Sequence, residues 1–336
     1  MIRGKARKIT PDVEGRDHVE SGREIDTSWK ERGLRPGHMA ARLAGTALLT
    51  LAALATGTRG AGEPWQEEPE PQGAEALGAI PPGTVLWIGA HPDDEVLLAP
   101  LLGALCSTGR HGCALLVATR GENGACRLAG GCHPDLATVR GAEMRAAARL
   151  FRARLLQGSL PDVVGPGPAG VRDAWTAAAG GAEALLERLA GAIDSVAPQA
   201  IITFDPRHGT TCHNAHRAIG RLVLRALALL HAPPPAVFLL ESRVRIAPGG
   251  ASIRFSAATP GDPRLLRFDA NALVPRPDGA GTDWDYLLAD ARRQPSQFDA
   301  TFLASLLAVP PRQRHVYLLD AAALGTNPSP LDACAP

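Results

Sequence analysis

Thr84-Val85-Leu86-Trp87-Ile88-Gly89-Ala90-His91-Pro92-Asp93-Asp94-Glu95 passes from an unbroken apolar run to a polar burst within one residue. A run of this length and character reads as a strand buried on both faces, as in a parallel sheet. A histidine and adjacent carboxylates directly after such a strand carry a large desolvation cost, and a divalent cation accounts for them. Imidazole and carboxylate are ordinary zinc ligands, and His91-x-x-Asp94 lets both reach one ion across a tight turn that Pro92 stiffens. Asp93 then lies beside the ion without being required as a ligand. Taken alone, the acidic pair has a plainer explanation, two carboxylates interacting with the dipole at a helix N-terminus.

Outward from this stretch the same alternation recurs. Cys113–Thr119 is a second buried strand, followed by the loop Arg120-Gly121-Glu122-Asn123-Gly124. Helical spacing covers 95–105, 136–152, 182–196 and 213–231, and apolar runs at 154–158, 199–204 and 236–241 supply further strands. Strands and helices in alternation specify an α/β fold, layered and built on a mainly parallel sheet. The Pro/Gly stretch 165–170 reads as a loop and 245–285 as irregular, with a helix over 285–306 and a final strand at 315–319, so the C-terminal extension breaks the alternation.

In open parallel sheets, functional loops leave the carboxyl ends of the strands. That rule selects 90–95, 119–124 and 204–213. The last reads Asp205-Pro206-Arg207-His208-Gly209-Thr210-Thr211-Cys212-His213-Asn214-Ala215-His216. His213 and His216, at i and i+3, share one face at the start of a helix. One of them can supply a third protein ligand and the other can face a substrate. Three protein ligands plus water is the hydrolytic arrangement, whereas four closes a structural site.

Composition narrows the function. Apolar residues at 45% and charged residues at 21% suit a globular chain with a real core. A net charge of +1 leaves no field for nucleic acid or anionic lipid, and 4% aromatic residues are too few for a base-stacking surface. No GxGxxG follows the first strand, so a dinucleotide site is not indicated.

The N-terminal part differs from the rest. Residues 1–38 hold nine basic and seven acidic side chains and all three lysines, whereas the remainder uses arginine alone, 26 Arg against 27 Asp and Glu. This contrast predicts that translation starts at Met39 and that 1–38 is not part of the folded unit; a disordered leader is the alternative. From Met39, Arg42 and the 13-residue run Leu43–Ala55 match a secretory signal peptide over 39–62, too short for the roughly 20 residues of a spanning helix. Residues 63–82, rich in Pro and Glu, read as a linker, which places the folded domain at 84–320. Export agrees with six cysteines, an even number able to pair in an oxidising compartment. Cys106/Cys113 and Cys126/Cys132 can close small loops, leaving Cys212/Cys334; fifteen pairings exist for six cysteines, and free buried thiols are the alternative.

Together, Ala90-His91-Pro92-Asp93-Asp94-Glu95 after the first strand, Thr119-Arg120-Gly121-Glu122-Asn123-Gly124 after the second, Arg140-x-x-Glu143 on a helix and Asp205-Pro206…His213-x-x-His216 resemble the PIG-L/LmbE-like family. These are zinc-dependent de-N-acetylases of N-acetylglucosaminyl conjugates and related amides. The resemblance covers about 84–242 and continues weakly to Pro295-Ser296-Gln297. It implies a Rossmann-like fold, and zinc (Zn2+) held by His91, Asp94 and His216. It implies Asp93 as general base, and His213 as the group that stabilises the oxyanion or protonates the leaving amine. It also implies Arg140 and Asp162 as substrate contacts and an N-acetylated sugar conjugate as partner. Two positions depart from the family pattern. Ala215 replaces a carboxylate next to the histidines, and Gln294 stands where a histidine is common. The competing readings are a zinc hydrolase of another small amide and an exported carbohydrate-binding module with a degenerate site. Mass spectrometry of the native N-terminus tests the predicted start: no peptide from 1–38 is expected, and a single one refutes it.

Overall fold

The computed structural model describes residues 74–164, 167–247, 250, 252–276, 279–324 and 334. Its strands in chain order are β1 (Ala74–Glu75), β2 (Thr84–Gly89), β3 (Gly112–Thr119), β4 (Arg154–Leu160), β5 (Ala200–Phe204), β6 (Ala236–Leu240), β7 (Ser242–Ile246), β8 (Ile253–Ala257), β9 (Leu265–Asp269), β10 (Leu273–Arg276), β11 (Gly279–Thr282) and β12 (His315–Asp320). Eight of them form one sheet in the order β1-β9-β12-β6-β5-β2-β3-β4. The run β6-β5-β2-β3-β4 is parallel throughout, whereas β12 pairs antiparallel with both β6 and β9.

The central strands carry the apolar runs that identify them. Val85–Ile88 and Ala200–Phe204 are buried completely, and Trp87 meets Phe204 edge to face at 5.1 Å between ring centroids. Because β2 has β3 on one side and β5 on the other, the chain direction of the crossovers reverses between β2 and β5. The carboxyl ends of those two strands therefore open a crevice at the switch point of the sheet, and they carry the loops 90–95 and 205–213.

The helices Gly167–Ala179, Ala182–Asp194 and Asn214–Ala226 pack on one another as a layer. Apolar positions at helical spacing face the core: Leu185, Leu189 and Ile193 in the second, Ile219, Leu222 and Val223 in the third. On Leu136–Leu150, Asp135 caps the first turn by accepting from the Thr138 N–H at 2.8 Å. Among the described residues no helix is long and apolar enough to cross a membrane.

Several elements differ from what the sequence suggests. The expectations for 1–38, 39–62 and the first part of the 63–82 linker lie outside the described residues. Residues 74–82 are in the fold: β1 pairs with β9, and Ala76 and Ile80 bury their side chains. The helix Gly167–Ala179 begins inside the expected Pro/Gly loop, because Pro168 falls in the first turn, where a missing N–H breaks no bond. Its stripe Val171, Trp175, Ala179 is buried. Short strands occupy much of 245–285, and β8 shows plain alternation with Ile253, Phe255 and Ala257 inside. The helix expected over 285–306 is two, Trp284–Ala291 and Ala300–Leu307, since Pro295 cannot continue the ladder and restricts the residue before it. The region 95–105 is helical but irregular, passing from a tight turn at Asp94–Leu98 to Ala99–Leu102 and a wide turn at Gly103–Ser107.

Three disulfides, Cys106–Cys113, Cys126–Cys132 and Cys212–Cys334, use all six cysteines. The third ties the C-terminal Cys334 to the residue before His213.

The helix Asn214–Ala226 must lie close to β5 to bring His216 to the crevice, and Gly220 makes that approach possible. A Cβ at this position would sit 2.1 Å from the Phe204 carbonyl oxygen, a clash with backbone rather than with a movable side chain. Gly220→Ala is expected to destabilise by about 1–3 kcal/mol, as overpacking does. Thermal unfolding checks this: several degrees of melting temperature should be lost, and an unchanged midpoint refutes the close approach.

Candidate functional site

The turn after β2 is organised by one carboxylate. Asp94 Oδ2 accepts from the backbone N–H groups of Ala90 (2.7 Å) and His91 (2.8 Å). Its other oxygen is thereby aimed outward, 2.9 Å from His216 Nε2 and 3.7 Å from His91 Nδ1. Asp93 takes a positive φ of 114°, a conformation uncommon outside glycine, and its carboxylate lies near enough to Asp94, His91 and His216 to feel their charges. Asp93 Oδ2 meets Arg140 Nη2 at 2.9 Å.

His216 is held on two sides. Its Nδ1 lies 2.9 Å from the Gly209 carbonyl oxygen, and its ring stacks flat on Phe204, 4.0 Å between centroids at 4°. His91 places Nε2 at 3.3 Å from Asp162 Oδ1. His213 is the solvent-exposed member, its ring 4.9 Å from that of His91 and 4.8 Å from that of His216. Ligand atoms of His91, His213 and His216 lie within 4.8 Å of one another.

The donor set fits a divalent cation. Bonds of about 2.0–2.2 Å hold nitrogen and oxygen ligands a little over 3 Å apart around a tetrahedral ion. Asp94 Oδ1 and His216 Nε2 are close to that spacing, with His91 Nδ1 slightly beyond it. Each of the three also has its remaining polar atom fixed by a partner, the pattern that orients metal ligands. His91, Asp94 and His216 are therefore the residues able to hold the ion, with His213 at its open side.

A second buried convergence, Asp205, His208 and Glu241, lies at the carboxyl ends of β5 and β6. Here the positive charge is built in. The Arg207 guanidinium pairs with Asp205 and with Glu241, and Glu241 also meets His208 Nε2 at 3.1 Å and accepts from Thr259 Oγ1 at 2.6 Å. His208 Nδ1 accepts from the Thr210 N–H at 3.0 Å. This network braces the loop in which Gly209, Thr210 and Cys212 all take positive φ before His213.

Electrostatics follow from burial and these contacts. Burial pushes the Asp93 carboxyl up, Arg140 opposes it and Asp94 adds to it, leaving it at about 6. A divalent cation alongside acts in the same sense as Arg140. Burial also opposes ionisation of Asp94, but the charge and hydrogen bonds of His216 and His91 hold it well below the usual carboxylate range. His213 is pushed down to about 4, by desolvation first and then by the imidazoles of His216 and His91. Glu95 is raised well above the carboxylate range by burial and then by Asp290.

The residues singled out in the sequence fall into two groups. His91, Asp93, Asp94, His213 and His216 converge at the switch point. Arg140 and Asp162 reach the same place but are turned onto Asp93 and His91. Arg140 further donates to the carbonyl oxygens of Pro92 and Gly121. Glu143 does not pair with Arg140 along the helix. It accepts from the backbone N–H (2.9 Å) and hydroxyl (2.5 Å) of Ser296, and so binds the Ser-Gln element to the helix. Gln294 is buried and donates to Glu95 at 2.6 Å, and Ala215 is buried against the core. Neither departure from the family pattern opens onto the crevice. Phe204, His208 and Glu241 were not read as site residues. Glu241 carried the same signal as Asp205, an acid at the end of an apolar strand.

An α/β domain with three imidazoles and two adjacent carboxylates gathered at the switch point of its sheet is an enzyme-type domain with a candidate metal centre. Residues 86–227 match the family model described as PIG-L: GlcNAc-PI de-N-acetylase. Among solved structures, N,N'-diacetylchitobiose deacetylase from Pyrococcus horikoshii is similar at 16% identity and a TM-score of 0.48, covering 73% of this chain and 87% of that one. The 4-carboxy-2-hydroxymuconate hydratase GalB from Pseudomonas putida KT2440 is similar at 13% identity and a TM-score of 0.46, covering 71% and 96%. The A40926 pseudoaglycone deacetylase Dbv21 is similar at 16% identity and a TM-score of 0.45, covering 70% and 96%. No curated protein matches the chain in sequence.

Burial lowers the His91 pKa, but the hydrogen bonds to Asp162 and Asp94 outweigh it and raise it to about 10. A histidine ligates as the neutral imidazole, so a cation entering here displaces that proton. The sign follows: apparent affinity for zinc should rise about tenfold per pH unit between about pH 6 and 8, with one proton released. Titration calorimetry in two buffers of different ionisation enthalpy measures that proton. An affinity independent of pH, with no proton released, refutes a protonated resting state of His91.

Proposed function

We propose that the protein is a zinc-dependent de-N-acetylase that removes the acetyl group from an N-acetylated amino sugar of the N-acetylglucosamine type. The observation that carries this reading is the placement of Asp93 beside the His91, Asp94 and His216 donor atoms, within the residues that match the family. The fit of that donor set to zinc supports the choice of ion, and imidazole plus carboxylate also suits neighbouring transition metals. When bound, zinc supplies a Lewis acid for the amide carbonyl and a source of hydroxide near neutral pH.

The chain's own residues do the rest. Asp93, kept near neutral pKa and steadied by Arg140, accepts the proton of the attacking water. His213, at the open side of the crevice, faces the acyl group, where its ring can hydrogen-bond the developing oxyanion. Collapse breaks the amide C–N bond, the departing nitrogen takes up the proton that Asp93 had accepted, and a free amine and acetate leave. Neutral His213 donates one hydrogen bond without carrying charge, which favours the oxyanion role over that of a protonated acid.

We also read the protein as exported. The three disulfides support an oxidising compartment, and the signal-peptide pattern after Met39 supports the route.

The test is metal content together with acetate release from N-acetylglucosamine and its simple glycosides. Wild type is expected to hold about one zinc per chain and to release acetate. Asp93→Asn should keep the zinc and lose about two to four orders of magnitude in kcat, whereas His91→Ala should lose the zinc as well. Equal zinc loss in both variants refutes the division of roles. Zinc without acetate release shifts the reading to another amide or to binding alone.

A further inference from the structure

We infer that Asp162 is a positioning residue for His91, fixing its tautomer and ring for metal ligation, and not a contact for substrate. This rests on the zinc reading above and goes beyond it. Asp162 follows the end of β4 by two residues and is 6% exposed. The peptide before it is anchored by the Trp175 indole, whose Nε1–H donates to the Pro161 carbonyl oxygen at 2.8 Å. The loop after β3 closes around Asp162 from the other side. Its backbone N–H donates to Glu122 Oε1 at 2.8 Å, its carbonyl oxygen accepts from Asn123 Nδ2, and Oδ2 accepts from the Asn123 N–H at 3.2 Å. Only Oδ1 is left, and it points at His91 Nε2 at 3.3 Å. Both oxygens of this buried carboxylate already have a protein partner, and its place in the loop is fixed by them.

The consequence falls on His91. A neutral imidazole carries one N–H and one lone pair. With Nε2–H committed to Asp162, the lone pair is on Nδ1, the nitrogen that faces Asp94 Oδ1 at 3.7 Å and, past it, His216 Nε2. Asp162 thus does for His91 what the Gly209 carbonyl does for His216: it takes up the nitrogen that does not ligate. All three candidate ligands are then oriented by distinct loops.

The experiment compares Asp162→Asn and Asn123→Ala with the wild-type full chain. Zinc affinity is read by competition with a chromogenic chelator, and KM and kcat for N-acetylglucosamine are measured at saturating zinc. Asp162→Asn keeps the side-chain volume and an acceptor for the Asn123 N–H, so the loop can close. It is expected to weaken zinc binding about 10–100-fold, with KM unchanged once zinc is saturating. Asn123→Ala loosens the same loop without touching the carboxylate and should leave zinc affinity near that of wild type. Unchanged zinc affinity with a raised KM in Asp162→Asn overturns the inference in favour of substrate contact. Equal zinc loss in both variants overturns it in favour of a merely structural role. Wild type that binds no zinc overturns the zinc reading and this inference together, whereas zinc lost in His91→Ala but retained in Asp162→Asn overturns this inference alone.

Discussion

Two backbone N–H groups donating to one oxygen of Asp94 are the interaction on which the centre depends. They belong to Ala90 and His91, at the place where β2 ends and its ladder has no further partner to offer. An unpaired amide buried there would be costly, and the carboxylate supplies the acceptor that both amides lack. Satisfying the turn and aiming Asp94 Oδ1 are therefore one event. The direction of His91, the positive φ of Asp93 and the contact with His216 all follow from that local closure.

Burying so many charges requires that each be matched nearby. Asp93 is matched by Arg140, Asp94 by His216 and His91, and Asp162 by His91. Behind them Asp205 and Glu241 are matched by Arg207 and His208, in a network that braces the strained loop leading to His213. The two networks differ in one respect that bears on function. In the rear one the Arg207 guanidinium pairs with both carboxylates, whereas in the front one Arg140 pairs with Asp93 and Asp94 is matched by imidazoles. Buried ion pairs contribute little net stability once desolvation is counted, so folding stability alone explains neither network.

Much of this was legible along the chain. The apolar runs at 84–90, 113–119, 199–204 and 236–241 correspond to β2, β3, β5 and β6, since a strand buried on both faces leaves a continuous signal. The polar residues directly after them marked the place where His91, Asp94 and His216 meet, because charge at a buried strand end carries a desolvation cost. The reading failed where a local signal was diluted. Gly167 and Pro168 masked a helix whose stripe of Val171, Trp175 and Ala179 was present, and five short strands between 242 and 282 fell below the length at which alternation stands out. Pro295 divided a helix that periodicity alone joined.

What the sequence by itself determined is the set of groups: which strands are buried, and which histidines and carboxylates stand at their ends. Chain order could not reveal which of those groups meet. His91 and His216 are separated by most of the parallel sheet in sequence, and they touch only because β2 and β5 are neighbours at the switch point. Arg140 and Glu143 lie one helical turn apart, and tertiary structure sends one to Asp93 and the other to Ser296. Asp162, from the end of another strand, meets His91. The physical reason is common to all three. A buried charge takes the partner that packing brings within about 3 Å, and packing is decided by the order of strands in the sheet rather than by distance along the chain.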